Sequence, residues 1–205
     1  MTKTQIAILW GLAVVILVAF FIVGRVLSRP TQEGLDLPGL PGKTYSLPGV
    51  PFAAKAFFPR AQQAALSWQG DAQFVSATAS WPFVRLDNLS MPVEWVFQFF
   101  SSATQKMFIV SVDEKTVTPM RSSLTPYPLP TASVDMWKVD SYEAINAWLN
   151  HGGGDFLDAH PAVDVSARLL VSQEGQLEWL VVGTLQNSQE IQLTRVNAEN
   201  GVILK

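Results

Sequence analysis

Cysteine is absent from this chain of 205 residues, and histidine occurs only twice. Without cysteine there is no disulfide framework, no thiolate nucleophile and no cysteine for lipid attachment. Charge is also scarce: 15% of residues are Asp, Glu, Lys or Arg, against about 25% in ordinary soluble domains. The net charge of -3 excludes a nucleic-acid binder that works by bulk positive charge. A mean hydropathy of +0.21 and a 48% hydrophobic composition exclude a disordered chain.

The apolar excess has a local source. Ile6 to Gly24 is a run of 19 residues without a charge. Without it, the rest of the chain is about 44% apolar and about 17% charged, a globular composition. At ~1.5 Å per residue the run covers about 28 Å, close to the ~30 Å hydrocarbon core of a bilayer. It is longer than the apolar region of a signal peptide, and Gly24-Arg25-Val26-Leu27-Ser28 lacks a small-x-small cleavage site. The expectation is an N-terminal transmembrane anchor over residues 1-29, with membrane contact through residues 6-24. Lys3 on one side faces Arg25, Arg29 and Lys43 on the other, which by the positive-inside rule favours a cytoplasmic body, although long domains are translocated against such small differences.

Residues 30-51 are rich in proline and glycine, with Pro at 30, 38, 41, 48 and 51. Proline removes backbone donors and glycine adds freedom, so the stretch reads as a linker. A second Pro-rich segment, Thr118 to Pro130, divides the remainder into halves, 52-130 and 131-205. The halves share residues at an offset of 84: Glu94-Trp95-Val96 with Glu178-Trp179-Leu180, Gly70-Asp71 with Gly154-Asp155, and Gln105 with Gln189. Matching order and spacing point to an internal duplication.

Each half reads as a helix followed by antiparallel strands. In the second, Asp140 and Glu143 have capping-box spacing, and Tyr142, Ile145, Trp148 and Leu149 share a helical face until Gly152 to Gly154 ends the helix. Strands are expected at Val163 to Ser172, Leu177 to Leu185, Glu190 to Val196 and Val202 to Leu204, separated by turn residues. The first half offers a helix over Ala53 to Trp68 with a break or new start at Pro59. Its strands are expected at Gln73 to Trp81, Val93 to Ser101, Lys106 to Asp113 and Thr116 to Met120. The fold class is α+β, an anchor and linker followed by two repeated helix-plus-sheet units.

The helix ending near Gly-Gly, the central strand Trp and the closing turn Asn197-Ala198-Glu199-Asn200-Gly201-Val202 resemble the PepSY-like domains of bacterial cell-envelope proteins. The first half departs from that turn, with Asp113-Glu114-Lys115-Thr116-Val117 and no glycine. The resemblance covers at most Phe52 to Lys205. It implies a tandem, non-catalytic, extracytoplasmic module, and it outweighs the positive-inside count in placing the body outside.

Chemistry is sparse. His151-Gly152-Gly153-Gly154 has the look of an esterase oxyanion loop, but the chain has no Gly-x-Ser-x-Gly nucleophile elbow. His151, Asp155, Asp158, His160 and Asp164 are of metal-ligand type without a tight ligand spacing. The plainer reading is a glycine helix cap with His151 near the negative end of the helix. Gly152 to Gly154 follows a helix, the wrong order for a phosphate loop, and Asn88-Leu89-Ser90 is a sequon of no evident use. No cofactor, metal or catalytic residue is expected.

Trp95 to Phe100 and Met107 to Val110 are apolar on both strand faces. Either they are buried between the sheet, its helix and the other half, or they expose a patch that docks a partner. On the second reading Phe97, Phe99, Phe100 and Phe108 are the candidate partner-binding residues. The function expected is a protein-binding module without catalysis. The alternatives are an accessory subunit of a larger membrane complex and a metal-dependent hydrolase using His151, Asp155, Asp158 and His160.

Overall fold

The structure, a computed structural model, describes residues 44-47, 53-85, 89, 94-172, 174-186 and 188-204. The expected span Ile6 to Gly24 lies outside these residues. Among the described residues no helix is long and apolar enough to cross a membrane, so the single-pass membrane reading is not carried forward.

The strands are β1 (Gln73–Val84), β2 (Glu94–Ser101), β3 (Lys106–Asp113), β4 (Val117–Leu124), β5 (Val163–Val171), β6 (Leu177–Thr184), β7 (Ile191–Asn197) and β8 (Ile203–Leu204). They form one eight-stranded sheet in the order β4-β3-β2-β1-β5-β6-β7-β8, and every neighbouring pair is antiparallel. This corrects the expectation of two repeated units, each with its own sheet. Strand β1 pairs with β5 along most of its length, Ala77 opposite Leu169 and Ala79 opposite Ala167. Each is the first strand of its half, and as the edge of a separate sheet it would leave a row of backbone donors and acceptors unpaired. Joining them satisfies both edges at once.

Helices α1 (Ala54–Trp68) and α2 (Ser141–Trp148) pack on one face of the sheet. Pro59 does not break α1, which runs on to Trp68 with Ala54, Phe57, Phe58, Ala61 and Ala65 buried. One lost backbone bond is outweighed by the apolar stripe on both sides of the proline. Asp140 and Glu143 do form a capping box at α2. Beyond Trp148 the chain widens into a π-type turn over Leu149–Gly153, with Gly152 at φ +97°, and restarts as α3 (Gly154–Ala159). The glycines therefore make an elbow, where a simple helix end was expected.

Strand β4 extends past the expected Met120 to Leu124 despite Pro119. It is an edge strand, and the register slips between Ile109 and Val110 at that point, so the missing proline donor costs little.

The core is aromatic at its flanks and small at its centre. Ala77, Ala79 and Ala167 lie on the helix-facing side of the two middle strands and are buried. Over them Trp95 of β2 meets Trp179 of β6 edge to face, centroids 6.0 Å apart, and Trp137 adds a third ring 6.0 Å from Trp179. Both Trp137 Nε1 and Trp179 Nε1 donate to the carbonyl of Val139, at 3.0 and 2.9 Å. Each ring contact is worth about 0.5–1.5 kcal/mol beyond its burial.

Candidate functional site

The aromatic residues singled out from the sequence are buried. Phe97 and Phe99 face the helices, where Phe58 of α1 lies 6.0 and 6.3 Å from them, and Phe108 stacks on Trp68 at 5.0 Å. Phe100 lies on the opposite face, beside Met107 and Gln73, and is also buried. None of the four presents its ring for docking, which corrects the patch reading. Strands apolar on both sides are explained for Phe97, Phe99 and Phe108 by burial under α1.

The His/Asp cluster is dispersed into structural contacts. Asp155 Oδ1 and Asp158 Oδ2 both accept from Tyr45 Oη, at 3.0 and 3.2 Å. Asp164 accepts from the Phe83 amide at 2.9 Å and from Gln186 Nε2 at 3.0 Å, and these bonds hold its carboxyl below the ordinary range. His160 Nε2 lies 3.4 Å from Glu190 and packs on Phe156. The carbonyl of His151 accepts from Gln192 Nε2 at 2.7 Å. Among the described residues no group of three His, Asp or Glu could hold a metal ion.

Desolvation, followed by the two carboxylates, pushes the Tyr45 hydroxyl up to about 12. The bond to Phe83 is locally important in another way, because Phe83 has φ +54°, which a bulky side chain rarely adopts. The Asp164 carboxylate pins that backbone, and the Phe83 ring is exposed.

One open feature is the β7 end of the sheet. Among the described residues, β8 pairs with Arg195 and Val196 alone. The Asn197 amide donates to the Val202 carbonyl, away from β6. In an antiparallel ladder the direction alternates, so the backbone groups of Leu193 and Ile191 point to the same outer edge. Their side chains lie on the face opposite the helices and are 40% and 59% exposed. Across β6 they sit beside Val182 and Thr184. On the same face a groove of ≈ 530 Å³ is lined in part by Leu170, Glu178, Arg195 and Leu204. Arg195 Nη2 and Nε both reach Glu178 Oε2, at 2.7 and 3.2 Å.

Sequence reasoning missed this edge, although a signal was present. The strand Ile191-Gln192-Leu193-Thr194-Arg195-Val196 alternates, and taken alone the pattern puts Ile191 and Leu193 inside. The observed register puts Thr194 and Val196 inside instead, leaving two apolar residues on the outer face.

No protein family's sequence profile matches the chain. No curated protein matches it either, so the PepSY-like resemblance stands without a family match. Among solved structures the chain is similar to a candidate lipoprotein from Clostridium difficile 630, at 12% identity and a TM-score of 0.48, over 73% of this chain and 90% of that one. No role is transferred from a likeness of that degree.

Proposed function

We infer that the folded body is a non-catalytic module that binds a protein partner by adding one of the partner's extended segments to the β7 edge. One observation carries this: the outer backbone groups of Ile191 and Leu193 lie on an edge that, among the described residues, β8 covers at Arg195 and Val196 alone. A partner strand in line with β8 satisfies those groups, and the exposed Ile191 and Leu193 side chains supply apolar contact. The other sheet edge is a poor competitor, because β4 carries Pro119, Arg121 and a register slip, devices that discourage strand addition. The non-catalytic reading is drawn from the sequence; Asp155, Asp158, Asp164 and the His160 ring each contact another segment of the chain, and His151 does so through its backbone carbonyl. Placement outside the cytoplasm rests on the sequence resemblance.

The test is backbone amide exchange on the full chain, free and in complex with a partner isolated by a photo-crosslinker placed at Leu193. Binding is expected to protect the Ile191 and Leu193 amides. Ile191→Pro, which deletes one edge donor at the first strand residue where proline is tolerated, is expected to weaken the complex at least about tenfold. A partner that leaves both amides unprotected sinks the reading.

A further inference from the structure

Part of the expected linker, residues 44-47, is held in place. Between Gly42 and Pro48 lies a stretch without proline or glycine, Lys43 to Leu47, and its Tyr45 and Leu47 pack against the core. The Tyr45 amide donates to Asn150 Oδ1 at 3.0 Å, and Asn150 Nδ2 donates back to the Tyr45 carbonyl at 2.8 Å. Two residues on, the Leu47 amide donates to Asn146 Oδ1 at 2.7 Å. The same Asn150 Nδ2 also donates to the Asn146 carbonyl at 2.7 Å, which fixes the amide before any chain meets it.

The spacing explains why this works. Asn146 and Asn150 are four apart across the end of α2, so their side chains stand one above the other, about 6 Å apart along the axis. Alternate residues of an extended chain repeat every ~6.6 Å. Two asparagines one helical turn apart therefore read every second residue of an extended segment running antiparallel to the helix.

The residue types are read as well. The Tyr45 ring lies over Gly154, where a Cβ would sit 2.3 Å from the ring, and its hydroxyl donates to Asp155 and Asp158. Ser46, between the two anchors, is exposed.

We propose that the elbow of α2 and α3 is a peptide-binding site for an extended tyrosine-x-leucine segment, occupied in cis by Thr44–Leu47. When that segment is withdrawn, the site takes the same pattern from a peptide in trans. This site does not depend on the β7 edge, and the failure of either leaves the other standing. A tethered occupant has an effective concentration in the millimolar range, so a free peptide does not displace it at ordinary concentrations.

The experiment uses the full chain and a synthetic peptide, acetyl-Lys-Thr-Tyr-Ser-Leu-amide, followed by chemical-shift perturbation. Wild type is expected to show no binding below the millimolar range. The double variant Tyr45→Ala with Leu47→Ala is expected to bind at least about tenfold more tightly, and adding Asn150→Ala is expected to abolish the gain. Equal binding to wild type and the double variant overturns the proposal, as does no binding to the double variant or a gain indifferent to Asn150→Ala. Amide exchange of the unmodified full chain gives an independent reading. The Tyr45 and Leu47 amides are expected to be protected and to lose at least about tenfold in protection with Asn146→Ala plus Asn150→Ala. Unprotected amides in wild type also overturn it.

Discussion

Asp140 shows at the scale of one residue how much a short pattern can fix. Its Oδ1 accepts from the Ser141 amide at 2.6 Å and the Lys55 amide at 3.3 Å, so it ties the start of α2 to the start of α1. Burial raises its pKa, and the bonds from the Ser141 and Lys55 amides oppose that rise without cancelling it. A carboxyl whose folded pKa lies above its unfolded value takes up a proton on folding. Its contribution is therefore full at low pH and is lost as pH rises through the folded pKa. Asp140→Asn is expected to keep the cap and remove that loss, whereas Asp140→Ala forfeits about 1 kcal/mol. Urea unfolding against pH checks both: the wild-type curve should fall relative to Asp140→Asn as pH rises through the carboxylate range, and parallel curves contradict the assignment. The cap was legible because its signal is local, two side chains three residues apart. For Phe97, Phe99, Phe100 and Phe108 burial and exposure were both readable from the pattern and the choice between them was not, since a strand apolar on both faces reads the same whether a helix or a partner covers it.

At the scale of the element, the elbow between α2 and α3 depends on close approach. A Cβ at Gly153 would lie 2.4 Å from Trp148 Cδ2, and one at Gly183 would lie 2.9 Å from Trp148 Cζ2. The indole is clamped between the helix turn and β6, and its Nε1 donates to the Gln192 carbonyl at 3.2 Å. Gly153→Ala is expected to cost about 1–3 kcal/mol, because a well-packed ring has nowhere to move. Calorimetric melting of the variant checks this, and an unchanged melting temperature refutes the clamp. The three glycines pointed to a helix end, and an end of some kind is there. The continuation into α3 was hidden because the capping pattern describes a stop and carries nothing about what packs beyond it. Thr44–Leu47 was hidden differently: a short ordered segment among prolines looks like linker until its partners on a distant helix are known.

For the body as a whole, the continuous sheet and shared core make one cooperative unit of what the sequence divided in two. Helix α1 packs on β2, β3 and β4 and α2 on β5, β6 and β7, but Trp95 and Trp179 meet across the join. Guanidinium unfolding is expected to give a single transition, coincident by far-ultraviolet circular dichroism and tryptophan fluorescence. A plateau between two steps contradicts that expectation. Strand order within each half was legible from the spacing of turns. The pairing of β1 with β5 was not, since neither strand's own residues name a partner so far along the chain.

That pairing also has a kinetic consequence. Strands β1 to β4 and β5 to β8 form hairpins between sequence neighbours, whereas Ser76 meets Leu170 only after a loop of about ninety residues closes, an entropic cost about 3 kcal/mol above that of a tight turn. The middle of the sheet is therefore the last part to be assembled, and until it forms each half presents an unpaired inner edge. A newly made chain is thus most exposed to pairing with other copies at β1 and β5, the two strands that are best protected once it has folded.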